Sequence, residues 1–256
     1  MENNKPSLLV QVLAPALFIA FILATTFGIR YVNSSARVAG IPKPLRNVLA
    51  FNDSLTISQF NPRRRVKNYK TRRAVPARVN GNYGMTGTSD TTDFRFYQTT
   101  GFKKDTIGMY SFASVRRMDH QNLVYNFKCI EGWSQITWWG GARLSEWIRA
   151  HRMASKTGEP VVTGKEKHAY KYIGLVTMDG AYFVGIDLPS AMHSQTLLCY
   201  ELGGKPLPDV QGAPLRLIIP VKYGVKSIKK IGSFFFSDTP PPDFWYNRGY
   251  DYNLGH

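Results

Sequence analysis

The stretch from Asn126 to Ile148 contains the residues whose types and spacing are best suited to chemistry. Cys129 stands two positions before Glu131, and a Gly-Trp-Ser turn and a Trp-Trp-Gly-Gly break follow. A cysteine beside Lys128 on a tight aromatic turn is well placed to ionise, and the thiolate is the form that binds metals. A four-ligand zinc site would need CxxC or HxxxH partners, which this stretch lacks. One thiolate suits a soft metal whose other ligands come from a cofactor; the alternative is a buried cysteine that packs as a small hydrophobe.

The sequence K-C-I-E-G-W-S, followed by W-x-G-x-x-L, resembles the cysteine segment of the sulfite-oxidase family of molybdopterin enzymes. The resemblance implies that Cys129 binds molybdenum, whose other ligands are two dithiolene sulfurs of the pterin and terminal oxygens. The C-x-E form, with Glu131, is nearer to the bacterial members that resemble the catalytic subunit of periplasmic methionine sulfoxide reductase. Glu131 would then orient metal-bound water or supply a proton.

A second segment, Arg78 to Gly84, resembles the part of the family that lies across the pterin. The resemblance implies that Asn80, Tyr83 and Gly84 contact the cofactor. The alternative is that the same residues simply form an Asn-Gly turn between two strands. Thr177, at the end of a predicted strand, is a further cofactor candidate.

The region from Gly185 to Ile231 resembles the family's second signature. Within it, Gln211-Gly-Ala-Pro-Leu-Arg216 resembles N/H-G-x-P-x-R, whose arginine pairs with the cofactor, and Gln211 replaces the commoner asparagine or histidine. The following loop resembles the one that holds the pterin phosphate, where N–H, hydroxyl and ammonium groups bind an anion. The residues it assigns there are Lys226, Ser227, Ile228 and Lys229. Met192 and His193 would lie on the substrate side, or would simply cap a strand.

Around these segments the chain alternates apolar and polar residues as β-strands do, and Cys129 is predicted to follow one of these strands. An amphipathic helix is predicted from Leu144. We therefore expect an α+β, β-rich mixed domain over residues 78–256 with the sulfite-oxidase-type molybdopterin-binding fold. Cys199, in an apolar run, is expected in the core.

The N-terminal part is predicted to be a membrane anchor. Residues 1–7 form a short tail, and residues 8–29 are uncharged and about long enough to span a bilayer. A cleaved signal peptide is the competing interpretation, but no sharp cleavage site is present. The positive flank after the span favours a single-pass protein of a bacterial inner membrane whose domain faces the cytoplasm. The resemblance to a periplasmic reductase argues for the opposite side.

Residues 30–77 form a basic, Pro- and Arg-rich arm in a chain of formal net charge +16. The cluster from Arg63 to Arg73 lacks a helical stripe and is predicted to be largely irregular. Contact with an anionic membrane or a partner explains it better than nucleic-acid binding, because no helix-turn-helix, zinc finger or RNA-binding aromatic strand accompanies it.

Together these features predict a membrane-anchored molybdenum-molybdopterin oxidoreductase that transfers an oxygen atom, with a sulfoxide as the favoured substrate. Its electrons would be exchanged with a membrane cytochrome b or a quinone-linked subunit, because the sequence shows no second redox centre. The alternatives are sulfite oxidation and a non-catalytic subunit of a membrane complex that keeps the molybdopterin fold.

Overall fold

The computed structural model describes residues 8–61 and 64–256. The predicted N-terminal tail, residues 1–7, and Arg63 of the basic cluster lie outside the described residues. The described residues form five α-helices, which are α1 (Leu8–Ser34), α2 (Lys43–Ser58), α3 (Phe112–Arg116), α4 (Leu144–Ala150) and α5 (Leu188–Ala191).

Two five-stranded sheets make up most of the domain. One has the order β10-β9-β6-β5, with β11 also paired to β9; the other has the order β4-β3-β12-β7-β8. All pairs are antiparallel except β12 with β3. The strands of the first sheet are β5 (His120–Lys128), β6 (Ser134–Arg143), β9 (Leu197–Leu202), β10 (Lys205–Pro206) and β11 (Arg216–Ile218). Those of the second are β3 (Arg95–Thr99), β4 (Thr106–Ser111), β7 (Tyr172–Thr177), β8 (Phe183–Asp187) and β12 (Ile231–Ser237).

The buried apolar side chains form two clusters. The larger one packs α4, through Trp147 and Ile148, against the second sheet, through Ile173 and Phe234. The smaller one lies on the first sheet and includes Cys199, which is fully buried as its apolar neighbours predict. Removal of this apolar surface from water is the main stabilising contribution to such a core.

The Trp-Trp-Gly-Gly sequence is a strand interior, so the predicted break is wrong. Residues 138–141 lie in the middle of β6, which pairs with β5 on one side and β9 on the other. A Cβ on Gly141 would lie 2.2 Å from the carbonyl oxygen of Leu198, and the register shifts between Gly140 and Gly141. The glycines therefore permit a close approach of two backbones rather than a turn.

The N-terminal region contains more helix than the sequence predicts. Among the described residues, α1 is the one helix that is long and apolar enough to span a membrane. A signal sequence would have a similar length and composition. It runs past the predicted end at residue 29 because residues 30–34 contain no glycine or proline. A two-stranded hairpin, β1 (Arg37–Val38) with β2 (Ile41–Pro42), then leads into α2, which the sequence did not indicate.

Helix α2 is held against the C-terminal tail by its polar face. The buried Arg46 guanidinium donates to the carbonyl oxygens of Tyr246 and Tyr250, at 3.0 and 2.8 Å. The Asp53 carboxylate accepts from the backbone N–H groups of Tyr252 and Asn253, at 3.0 and 2.9 Å. Residues 64–70, which follow, are irregular as predicted, and a single 3₁₀ turn spans Thr71–Arg73.

Candidate functional site

Cys129 lies directly after β5, at the start of the turn that leads into β6. Its N–H donates to the Trp133 carbonyl at 2.9 Å, and the Gly132 N–H donates back to the Cys129 carbonyl at 3.2 Å. Gly132 has φ +88°, a conformation that favours glycine. This tight turn directs the thiol into a cavity of about 330 Å³, where the residue is only 6% exposed.

The immediate surroundings do not favour the thiolate as the sequence suggested. Burial is the main effect, and it raises the pKa of the Cys129 thiol; the charge of Glu131 raises it further, while the Asn80 amide lowers it. Lys128 gives no help, because its side chain lines a different cavity and lies 3.5 Å from Nδ1 of His256. A metal cation bound to the sulfur would supply the charge that the thiolate needs.

A small hydrogen-bond network surrounds the Cys129 sulfur. Nδ2 of Asn80 lies 3.7 Å from this sulfur and 3.1 Å from Oε2 of Glu131, which also accepts from the Trp133 indole at 2.9 Å. These two donors, Trp133 first, lower the pKa of Glu131. Glu131 is therefore ionised at neutral pH, which suits it to orient a group near the sulfur better than to donate a proton.

Arg216 brings a buried positive charge to the same cavity. Its guanidinium donates to both oxygens of Gln211, at 2.9 Å to the carbonyl and 3.1 Å to Oε1, and to the Ser227 carbonyl at 2.9 Å. The Gln211 amide in turn donates to the carbonyls of Ala77 and Arg78. Arg216 has no carboxylate partner among the described residues.

Lys229 is the second cation at the cavity without a carboxylate. Its ammonium donates to the carbonyls of Asn80, Gly81 and Val210, at 2.8, 3.2 and 3.1 Å. Burial, and after it the charge of Arg216, lowers the pKa of Lys229 to about 8. Two neighbouring cations, neither of which forms an ion pair among the described residues, make a favourable position for an anion.

The other lysines of this loop are structural. Lys226 is buried and paired with Asp243 at 2.5 Å, and Lys230 is buried and paired with Asp209 at 2.6 Å. Lys226, one of the residues assigned to the phosphate, therefore does not reach the cavity. Ser227 and Ile228 do line it, as do Lys229, Gln211 and Arg216.

Four further predicted residues do not line the cavity. Gly84 and Thr177 contact each other behind it: a Cβ on Gly84 would lie 2.4 Å from Cγ2 of Thr177. Met192 packs in the larger core cluster, and His193 is buried, with Nε2 at 2.9 Å from the Arg64 carbonyl. The predicted residues that the structure does bring together are Asn80, Tyr83, Cys129, Glu131, Gln211, Arg216, Ser227, Ile228 and Lys229.

Aromatic side chains form much of the cavity wall, and beyond Tyr83 and the aromatic turn after Cys129 sequence reasoning did not identify them. Phe127 and Trp133 stack with ring centroids 6.1 Å apart, and the Arg78 guanidinium lies 5.0 Å from the Trp133 ring. The tail contributes Trp245 and Tyr250, whose rings meet at 5.1 Å. The high density of aromatic residues in the tail was the sequence signal that could have identified Trp245 and Tyr250 as wall residues.

The cavity thus combines one cysteine sulfur, the carboxylate of Glu131, the cations of Arg78, Arg216 and Lys229, and aromatic walls. A comparison with known families matches residues 86–245 to the family described as Oxidoreductase molybdopterin binding domain. The chain belongs to this family. The match confirms the resemblance and the predicted α+β molybdopterin-binding fold.

Individual members of the molybdopterin-binding family cover part of this chain. It is 36% identical over 128 residues to the protein-methionine-sulfoxide reductase catalytic subunit MsrP of Xanthomonas axonopodis pv. citri, covering 50% of this chain and 40% of the relative. The MsrP of Ralstonia nicotianae is 36% identical over 126 residues, covering 49% and 38%. The matched segment is therefore about two fifths of the length of these relatives. Among solved structures, the sulfane dehydrogenase SoxCD of Paracoccus pantotrophus is similar with a TM-score of 0.45 and 15% identity, covering 59% of this chain and 40% of that one.

Proposed function

We propose that this protein is a molybdopterin-dependent oxidoreductase that reduces a sulfoxide by oxygen-atom transfer. The observation that carries the proposal is the meeting, in one cavity, of Cys129 with Arg216 and Lys229, which form no ion pair among the described residues. A soft thiolate is suited to molybdenum, and the two cations are suited to the anionic end of the cofactor. The residues of the cavity therefore fit the group that the family binds.

Each wall of the cavity has a distinct part in holding that cofactor. Cys129 would bind the metal, and Asn80 and Tyr83 would lie against the pterin. Arg216, fixed by Gln211, and Lys229 would bind its phosphate side, where Ser227 and Ile228 also line the cavity. Gly84 and Thr177 support the Asn80 segment from behind, and Lys226 fixes the loop through Asp243.

The charge next to the sulfur favours a neutral substrate. When bound, the molybdenum cofactor supplies two-electron oxygen-atom transfer. Reduction of a sulfoxide consumes two electrons and two protons and yields a sulfide and water. Glu131, ionised and held by Trp133 and Asn80, disfavours the close approach of anionic sulfite more than that of an uncharged sulfoxide. The names of the MsrP relatives support the same substrate class.

Helix α1 would act as a retained anchor that keeps the domain beside a membrane redox partner, such as a cytochrome b or a quinone-linked subunit. The similarity to the MsrP reductases, which the sequence resemblance associates with the periplasm, argues against the cytoplasmic side that the flanking charges predict. A membrane-impermeant maleimide applied to intact cells that carry an exposed Thr157→Cys substitution would distinguish the two sides.

The first test is the metal content of the detergent-purified protein and of its Cys129→Ser variant, measured by plasma mass spectrometry. We expect about one molybdenum per chain in the wild type and almost none in the variant, because a hydroxyl is a poor ligand for a soft metal. Cys199→Ser is the matched control, since Cys199 is buried in the core and should leave the metal content unchanged.

Retention of molybdenum in Cys129→Ser would contradict the ligand assignment. No molybdenum in the wild type, expressed in a host that makes the cofactor, would instead favour the non-catalytic subunit. Loaded protein with reduced artificial donors should then reduce sulfoxides, and oxidation of sulfite without sulfoxide reduction would overturn the substrate assignment.

A further inference from the structure

A second cavity, of about 840 Å³, lies between α2, the basic arm and the C-terminal tail. Its walls are the end of α2 and residues 59–61, residues 64–69 of the arm, the end of β5, and residues 253–256. It shares no lining residue with the cofactor cavity. The positively charged residues that line it are Arg64, Arg65, Lys67, Lys128 and Lys222.

Most of the cationic side chains at this cavity lack an ion-pair partner among the described residues. No aspartate or glutamate is among its described lining residues. Lys222 is paired with Asp187 at 2.6 Å, whereas Arg64, Arg65, Lys67 and Lys128 have no ion-pair partner in the part of the chain that the structure describes. Such a grouping attracts an anion, and arginine is especially suited to phosphate.

The helix that borders the cavity carries an exposed apolar stripe. On α2, Val48, Phe51 and Leu55 follow each other at intervals of three and four residues and are 57%, 62% and 45% exposed. The opposite face bears Arg46 and Asp53, which hold the helix to the tail. A helix with this arrangement is suited to lie in a membrane interface with its apolar stripe towards the acyl chains.

The position of α2 in the chain places it close to α1, the candidate membrane span. It begins at Lys43, a short hairpin after the end of α1 at Ser34, and α1 contacts both that hairpin and α2. The apolar stripe is thus close to the helix that would span the bilayer. The basic cavity lies at the other end of α2, beside Leu55.

We propose that the second cavity binds the phosphate headgroup of an anionic phospholipid, with α2 lying along the membrane surface so that the acyl chains meet its apolar stripe. The headgroup would be held by Arg64, Arg65 and Lys128. This proposal depends on α1 as a membrane anchor and is independent of the oxidoreductase activity, so either can fail without the other.

The test is native mass spectrometry of the full chain in detergent, titrated with phosphatidylglycerol or with phosphatidylcholine. The wild type should bind phosphatidylglycerol at least about tenfold more tightly than phosphatidylcholine, since the cations of the cavity attract an anionic lipid. The combined variant Arg64→Gln, Arg65→Gln and Lys128→Gln should lose this preference.

The matched control is Arg72→Gln with Arg73→Gln, on the same arm but outside the cavity, which should behave as the wild type. If the control loses the preference as fully as the cavity variant, the attraction is diffuse and the site is refuted. A site for free phosphate would also overturn the lipid assignment: it would show as inorganic phosphate binding as tightly as the lipid and displacing it.

A second measurement tests the position of α2 on the bilayer. Nitroxide labels are placed on Val48→Cys and, as a control on the other side of the helix, on Ala50→Cys, in nanodiscs that contain phosphatidylglycerol. Both native cysteines are buried, so the introduced one reacts first. We expect the label at position 48 to be accessible to oxygen and protected from a water-soluble nickel complex, and the label at position 50 to show the opposite. Equal exposure of both labels to nickel would refute the proposal.

Discussion

At the scale of single residues, the important distinction is between charges that are paired and charges that are not. Lys226 and Lys230 form ion pairs with aspartates. Lys229, which lies between them in sequence, instead donates hydrogen bonds to three backbone carbonyls at the cavity that Cys129 lines. Of the basic loop that the sequence assigned to an anion, Ser227, Ile228 and Lys229 line the cavity, and its binding of an anion stays a prediction. It could not tell which lysine faces the cavity, because Asp209 and Asp243 are distant in sequence.

We expect Lys229 to make retention of the cofactor depend on pH. Because the pKa of Lys229 is lowered to about 8, the empty cavity holds a charged lysine below that pH and a neutral one above it. An anion that binds beside Lys229 favours the charged form, so affinity falls as the pH rises above about 8. Molybdenum retained after dialysis at pH 6.5 to 9.5 should therefore decline over the alkaline part of that range.

Two variants check the assignment to Lys229. Lys229→Arg should keep the cofactor without this pH dependence, since arginine stays charged. Lys229→Gln should retain little at any pH. An unchanged alkaline loss in Lys229→Arg would show that another group is responsible.

At the scale of elements, local alternation predicted most strands of the two sheets, and the Cys129 motif predicted the turn after β5. The prediction was wrong for Trp138 to Gly141 because the two glycines serve a long-range contact with β9, which no local pattern reveals. It missed α2 because Pro44 at the start of that helix and the run of residues 52–54, Asn-Asp-Ser, inside it are weak helix formers. The family resemblance assigned Met192 and His193 to the substrate side, but they follow α5, and both are buried and do not line the cavity.

The close approach of β6 and β9 can be tested with Gly141→Ala. The added Cβ would lie 2.2 Å from the Leu198 carbonyl oxygen and 2.7 Å from the Cα of Cys199, both backbone atoms. We expect the free energy of unfolding to fall by about 1–3 kcal/mol, as for other overpacked interiors. Chemical denaturation of the detergent-solubilised protein would measure it.

Gly101→Ala is the control for this substitution. There the nearest atom is the flexible end of Lys104, so the change should stay within about 0.5 kcal/mol. Equal losses for the two variants would mean that loss of glycine itself, rather than the contact with β9, determines the cost.

At the scale of the whole molecule, we expect α1 to hold the enzyme on a membrane. We expect the purified protein to keep its full mass of 28.9 kDa and to stay with the membrane after alkaline carbonate washing. The reason is that its apolar surface is fully exposed and long enough to span a bilayer. A mature chain lighter by about 3–4 kDa would identify α1 as a cleaved signal instead.

The C-terminal tail connects the cavity at Cys129 with helix α2. Trp245 and Tyr250 form part of the cofactor cavity, and the stretch from Tyr246 to Asn253 is fastened to α2 through Arg46 and Asp53. We expect this arrangement to impose an order on biogenesis. A cofactor as large as a pterin would be inserted most easily before the tail docks on α2, and that docking would then fix Trp245 and Tyr250 at the cavity. Insertion of the cofactor and binding of α2 to the lipid surface would then be successive steps of one assembly process, and they would be coupled through the contacts of Arg46 with the tail.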